Sequence, residues 1–94
     1  MRIVKMYVIY DNVAMMCAGW IFKAMNEGEA VRTFQELCRD DRTAMSRNPT
    51  DYVLMEIGEF DQIEGTVKGY DITRKVMTGT EMVRVEKESE VQDA

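Results

Sequence analysis

A chain of 94 residues amounts to about one domain, large enough to bury a core but with little stability to spare. Hydrophobic residues make up 46% and charged residues 31%, the balance of an ordinary globular protein. With 17 acidic against 12 basic residues the net charge is -5, which argues against a coat protein wrapping nucleic acid non-specifically but leaves room for a local basic patch.

Residues 3–10 are dense in β-branched and aromatic side chains and predict a strand, apolar on both faces. Asp11-Asn12 is a turn signal. Residues 13–22 predict a second extended segment, with Gly19 marking a bulge or kink. This run is too short to span a bilayer, and residues 1–10 lack the long apolar core of a signal peptide. The expectation is therefore a cytoplasmic protein without a membrane segment.

Asn26 opens the clearest element. It suits a helix N-cap, with Glu29 three residues on and Glu27 and Glu29 at the positive end of the dipole. Ala30, Phe34, Leu37 and Cys38 recur at helical spacing and form one apolar stripe. Arg32, Gln35, Glu36 and Arg39 fall on the wet side, and the helix fades near Asp40 or Asp41. Residues 40–50 read as a polar loop. Residues 52–60 predict a third strand, residues 61–65 a hairpin loop with Gly65 at its left-handed position, and residues 66–70 the return strand. From Glu81 onward five acidic and two basic residues predict an acidic, largely disordered tail. The expected fold is α+β, a four-stranded antiparallel sheet with one helix in the order β-β-α-β-β. Residues 1–80 form one domain and residues 81–94 the tail.

The chemistry available is narrow. There is no histidine, and serine occurs only at Ser46 and Ser89, so no Ser-His or Cys-His nucleophilic pair exists. No glycine-rich phosphate loop precedes a helix. Cys17 and Cys38 stand far apart without metal-ligand spacing and read as reduced thiols. Glu56, Glu59, Asp61 and Glu64 cluster, but a solvated strand end and hairpin explain them better than a Mg²⁺ or acid–base site. The reading is a non-enzymatic binding protein without metal or cofactor. Of the nine methionines, Met6, Met55 and Met25 suit a core, and Met15, Met16 and Met45 a surface. Two loose basic groups remain: Arg39, Arg42 and Arg47 after the helix, and Lys68, Arg74 and Lys75 around Tyr70. Cations beside an aromatic can track and stack a single strand, although Asp40, Asp41 and Asp71 dilute both groups.

Two stretches carry a resemblance. One runs Asn26-Glu27-Gly28-Glu29-Ala30-Val31-Arg32-Thr33-Phe34. The other runs Pro49-Thr50-Asp51-Tyr52, then Ile57-Gly58-Glu59-Phe60-Asp61, closing at Gly65. In order and spacing they resemble the small non-structural protein of gokushoviruses, single-stranded DNA phages of the Microviridae, over roughly residues 1–76. Many members carry a proline-rich segment before the helix, where this chain has Cys17-Ala18-Gly19-Trp20-Ile21. The resemblance implies a replication-associated, DNA-binding protein of the host cytoplasm that favours single-stranded genome synthesis and packaging.

Taken together, the expected nucleic-acid contacts are Arg32, Arg39, Arg42, Lys68, Tyr70, Arg74 and Lys75, meeting single-stranded DNA weakly. The alternative is a protein-interaction module that binds a phage replication initiator or capsid protein and never touches DNA. A single helix covers one face of the sheet, so the other face should be apolar and open. Tyr7, Trp20, Phe22, Tyr52 and Leu54 are expected there, as the interface of a homodimer or higher oligomer.

Overall fold

The computed structural model describes residues 2–93. Four strands, β1 (Ile3–Asp11), β2 (Met16–Ala24), β3 (Tyr52–Asp61) and β4 (Thr66–Thr78), form one antiparallel sheet in the order β2-β1-β3-β4. Helix α1 (Glu27–Arg39) connects β2 to β3 through two short 3-10 turns, Ala44–Ser46 and Pro49–Asp51. The α+β class and the antiparallel sheet match expectation. The single helix does not: a second helix, α2 (Gly79–Asp93), follows β4 directly and occupies most of the segment read as an acidic tail. Ala94 lies outside the described residues.

Local signals explain the element ends. The Asn26 side chain accepts a hydrogen bond from the Glu29 N–H at 2.9 Å and caps α1. The two hairpins are built alike. Asp11 Oδ1 accepts from the N–H groups of Val13 and Ala14, and Asp61 Oδ1 from those of Ile63 and Glu64. Gly65 closes the second hairpin at φ +72, as expected, and Gly19 sits at φ +76 in a β2 bulge, where three residues oppose Val8. The return strand runs eight residues beyond the predicted Tyr70, because an irregular stretch after Gly69 restores pairing at Arg74.

The core lies between the sheet and α1. Ala30, Phe34 and Cys38 meet Tyr7, Ile9, Tyr52 and Leu54, with Met45 and Met82 closing the end. Phe22 stacks on Tyr7, the rings 5.8 Å apart. This corrects the interface expectation. Tyr7, Tyr52 and Leu54 are buried under α1, and Phe22 packs partly against the same core. The helix covers the odd-numbered face of β1, which carries Tyr7 and Ile9, and leaves the even-numbered face without a covering helix, although Val4 and Val8 there are buried. Of the five expected interface residues, only Trp20 is exposed, at 88%. Met45, expected at the surface, is buried.

Candidate functional site

Strand pairing sorts the side chains of β1 and β3 by face, and with them the charges. Residues directly opposite in antiparallel strands share a face. Lys5, Tyr7, Ile9 and Asp11 pair with Glu59, Glu56, Leu54 and Tyr52, so every carboxylate in that set lies on the helix side. Val4, Val8 and Tyr10 pair with Phe60, Met55 and Val53 on the opposite, open side.

The helix side carries a connected polar cluster beyond the end of the apolar core. Glu56, only 8% exposed, accepts from the Tyr70 hydroxyl at 2.6 Å and from the Arg74 guanidinium at 2.8 Å. Arg74 also pairs with Glu27 in the first turn of α1. Lys5 donates to Glu59 at 2.8 Å and to the Tyr70 hydroxyl at 3.4 Å. Burial alone would raise the Glu56 carboxyl, but the hydrogen bonds from Tyr70 and Arg74 outweigh it and hold the group below its ordinary range. The same two carboxylates push the Arg74 guanidinium up, Glu27 the more strongly. This arrangement ties α1 to the sheet through the Arg74–Glu27 and Arg74–Glu56 pairs.

Intramolecular pairing, in that cluster and elsewhere, occupies four of the seven residues of the predicted nucleic-acid set. Tyr70 and Arg74 serve Glu56, Arg39 donates to Glu86 of α2 at 2.7 Å, and Arg42 pairs with Asp40 at 2.9 Å. Arg32 is exposed on the outer face of α1, and Lys68 pairs across from Glu59 near the far hairpin. Lys75 lies on the other face of the sheet, opposite Met55. The seven residues therefore do not converge on one surface.

The open face has its own geometry. Val8, Tyr10, Cys17, Val53, Met55, Ile57, Thr73 and Lys75, with Asn12, line a groove of about 440 Å³. Its floor is apolar, no carboxylate lines it, and its one charge is Lys75. Toward the other end of the face Lys23 lies over the Phe60 ring, 5.9 Å from its centroid. Sequence reading found Lys75 but missed Tyr10, Lys23 and Phe60. Tyr10 and Phe60 looked like two more strand aromatics, and only the tertiary fold brings Lys23 over the Phe60 ring and puts Lys75 in the groove that Tyr10 lines. A second exposed feature runs along the β2 edge, where Val13, Met15, Met16, Trp20 and Ile21 are all exposed. Trp20 there borders a smaller pocket with Ile9, Phe22, Leu37 and Met45.

Among the described residues no group of acidic, cysteine or histidine side chains is placed to hold a metal ion. No helix among them is long and apolar enough to cross a membrane. A family model described as Phage ORF5 protein matches residues 4–82. No curated protein and no solved structure matches the chain.

Proposed function

The chain belongs to the phage ORF5 protein family, and from that premise we propose a non-enzymatic binding protein that assists production of a single-stranded phage genome in the host cytoplasm. The observation behind this reading is the separation of charge between the two faces of one sheet. The carboxylates of β1 and β3 share the helix side of the sheet, and the uncovered face keeps an apolar groove with lysine as its charge. A face so disposed suits contact with an anionic or polar–apolar partner and carries no catalytic pair. The gokushovirus resemblance supplies the biological setting.

The test is genetic. A phage in which an early stop codon interrupts this reading frame should still accumulate double-stranded replicative DNA, while encapsidated single strands fall sharply. Unchanged yields of both forms would sink the proposal.

The protein-interaction reading stays beside it, favoured by the exposed β2 edge. An edge strand with Trp20, Ile21 and Met16 outward offers unpaired backbone groups together with apolar side chains. Under that reading a phage replication initiator, a capsid protein or a second copy pairs along β2. Titration of purified initiator and capsid protein with the parent chain and Trp20→Lys would separate the two readings. Loss of protein binding with intact DNA contact favours the β2 edge as an independent docking site.

A further inference from the structure

We infer that the open face of the sheet is a platform for single-stranded nucleic acid, built from the Phe60 ring with Lys23 over it and from the groove lined by Tyr10 and Lys75. The inference rests on the genome-production reading and names the ligand and the residues.

The argument begins with what a single strand requires. Its bases stack on aromatic rings and its phosphates need cations, without demand for a deep, shaped pocket. Tyr10 and Lys75 line the same groove, and Lys23 covers Phe60 at 5.9 Å. Both rings are half-buried, anchored yet partly open, and both lysines are exposed. Neither lysine makes an ion pair with the described residues, in contrast to Arg39, Arg42 and Arg74. The Phe60 and Tyr10 rows are six residues apart on β1, about 20 Å at strand rise. Lys23 and Lys75 sit on opposite edge strands, three strand spacings and two residues apart, about 16 Å backbone to backbone. A short extended strand crossing the sheet diagonally meets Phe60 with Lys23 and then the groove of Tyr10 and Lys75.

Charge selects this ligand over a second copy. Two open faces stacked on each other would bring lysine against lysine, with no carboxylate from either groove to offset them. The acidity of the remainder of the chain repels phosphate elsewhere and leaves this face as the place of approach.

Two lysines neutralise about two phosphates. For a single strand the slope of log affinity against log salt is then about -1.4, a roughly sevenfold loss over a fourfold rise in salt. The experiment is a fluorescence-anisotropy titration of labelled oligodeoxythymidine, oligouridine and a DNA duplex with the full chain at about 50 and 200 mM salt. Lys75→Gln should flatten the slope by about 0.7, as should Lys23→Gln, whereas Arg32→Gln should leave it unchanged. Tyr10→Leu should weaken binding at least about fivefold at both salts. Circular dichroism melts verify folding of each variant, and amide chemical-shift mapping of the parent reads the face directly, so that a misfolded Tyr10 variant does not decide the outcome. Preference for oligodeoxythymidine or for oligouridine each supports a single-strand platform and identifies the strand. Absence of binding, duplex preference, loss through Arg32 with Lys75 indifferent, or shifts confined to the β2 edge would each overturn the inference. So would light scattering in which Lys75→Glu alone splits an oligomer, since a second copy would then cover the face. If the genetic test holds and this titration fails, only the platform falls.

Discussion

Glu56 shows how a buried charge is made tolerable. The sheet removes its carboxylate from water, and Tyr70 and Arg74 replace the lost hydration with hydrogen bonds of 2.6 and 2.8 Å. Its carboxyl lies below the ordinary 4.5, so the sign of the pH dependence follows. The folded state binds the proton less readily than the unfolded chain. The stabilisation is fully present above about pH 4.5 and is lost as pH falls through the lowered folded value. Glu56→Gln should cost about 1–3 kcal/mol at neutral pH and make the melting temperature less steep in acid. Asp40 and Asp61, also held low by their partners, keep some acid sensitivity in the variant. An unchanged acid slope in melts from pH 7 down to pH 3 would refute this account. Two glycines set backbone contacts at the same scale. A Cβ on Gly79 would lie 1.6 Å from the Pro49 carbonyl oxygen, and one on Gly58 2.5 Å from that of Lys68. Both neighbours are backbone and cannot swing aside. Gly79→Ala should therefore cost about 3 kcal/mol or more. A thermal melt within about 2 °C of the parent would show that the α2 junction moves freely.

Helix α2 divides unevenly between core and solvent. Met82, in its first turn, is 1% exposed and closes the core beside Tyr52 and Cys38. The Arg39–Glu86 pair ties the next turn to α1, but both groups are partly exposed and such a pair contributes at most about 1 kcal/mol. Met82→Ala should cost about 2–5 kcal/mol. Removing residues 87–94 should change stability by less than about 1 kcal/mol, since among the described residues the ion pair and core contacts of α2 lie before that point. Denaturant midpoints of the two variants measure this directly, and a truncation as damaging as Met82→Ala would mean that the later turns pack on the domain. The element was legible only in part. Met82, Val83 and Val85 are apolar, but the five acidic and two basic residues from Glu81 onward read as a solvated tail. Its burial depends on Gly79 pressing against Pro49, a contact between segments 30 residues apart.

For the whole molecule, self-association changes place with the corrected face assignment. The apolar surface that called for a partner at Tyr7, Tyr52 and Leu54 is covered by α1, and the exposed apolar strip lies along β2. A dimer paired edge to edge there would extend the sheet and leave the lysine-bearing face free, joining two platforms in one surface. The expected outcome is a dimer mass by light scattering at high micromolar concentration, shifted toward monomer by Trp20→Glu. A monomer mass for the parent chain at that concentration would remove the edge-pairing proposal and leave the face described above intact.

The elements governed by neighbours in sequence were legible without coordinates. Asn26 capping a helix with an Ala30–Phe34–Cys38 stripe, Gly65 closing a hairpin, Gly19 marking a bulge and the two apolar strands all depend on local backbone preference and short-range periodicity. The absence of histidine and the scarcity of serine likewise follow from composition alone. Which side of β1 the helix would cover did not follow, because both sides are apolar and alternation then carries no sign. That choice decided that Tyr7, Tyr52 and Leu54 became core, and that Tyr10, Phe60, Lys23 and Lys75 came to share the uncovered face. It also decided the fate of the cations. In sequence Arg74 and Lys75 are adjacent and look equivalent, but successive strand residues point to opposite faces, so one meets Glu56 and Glu27 while the other meets a groove lined by no carboxylate.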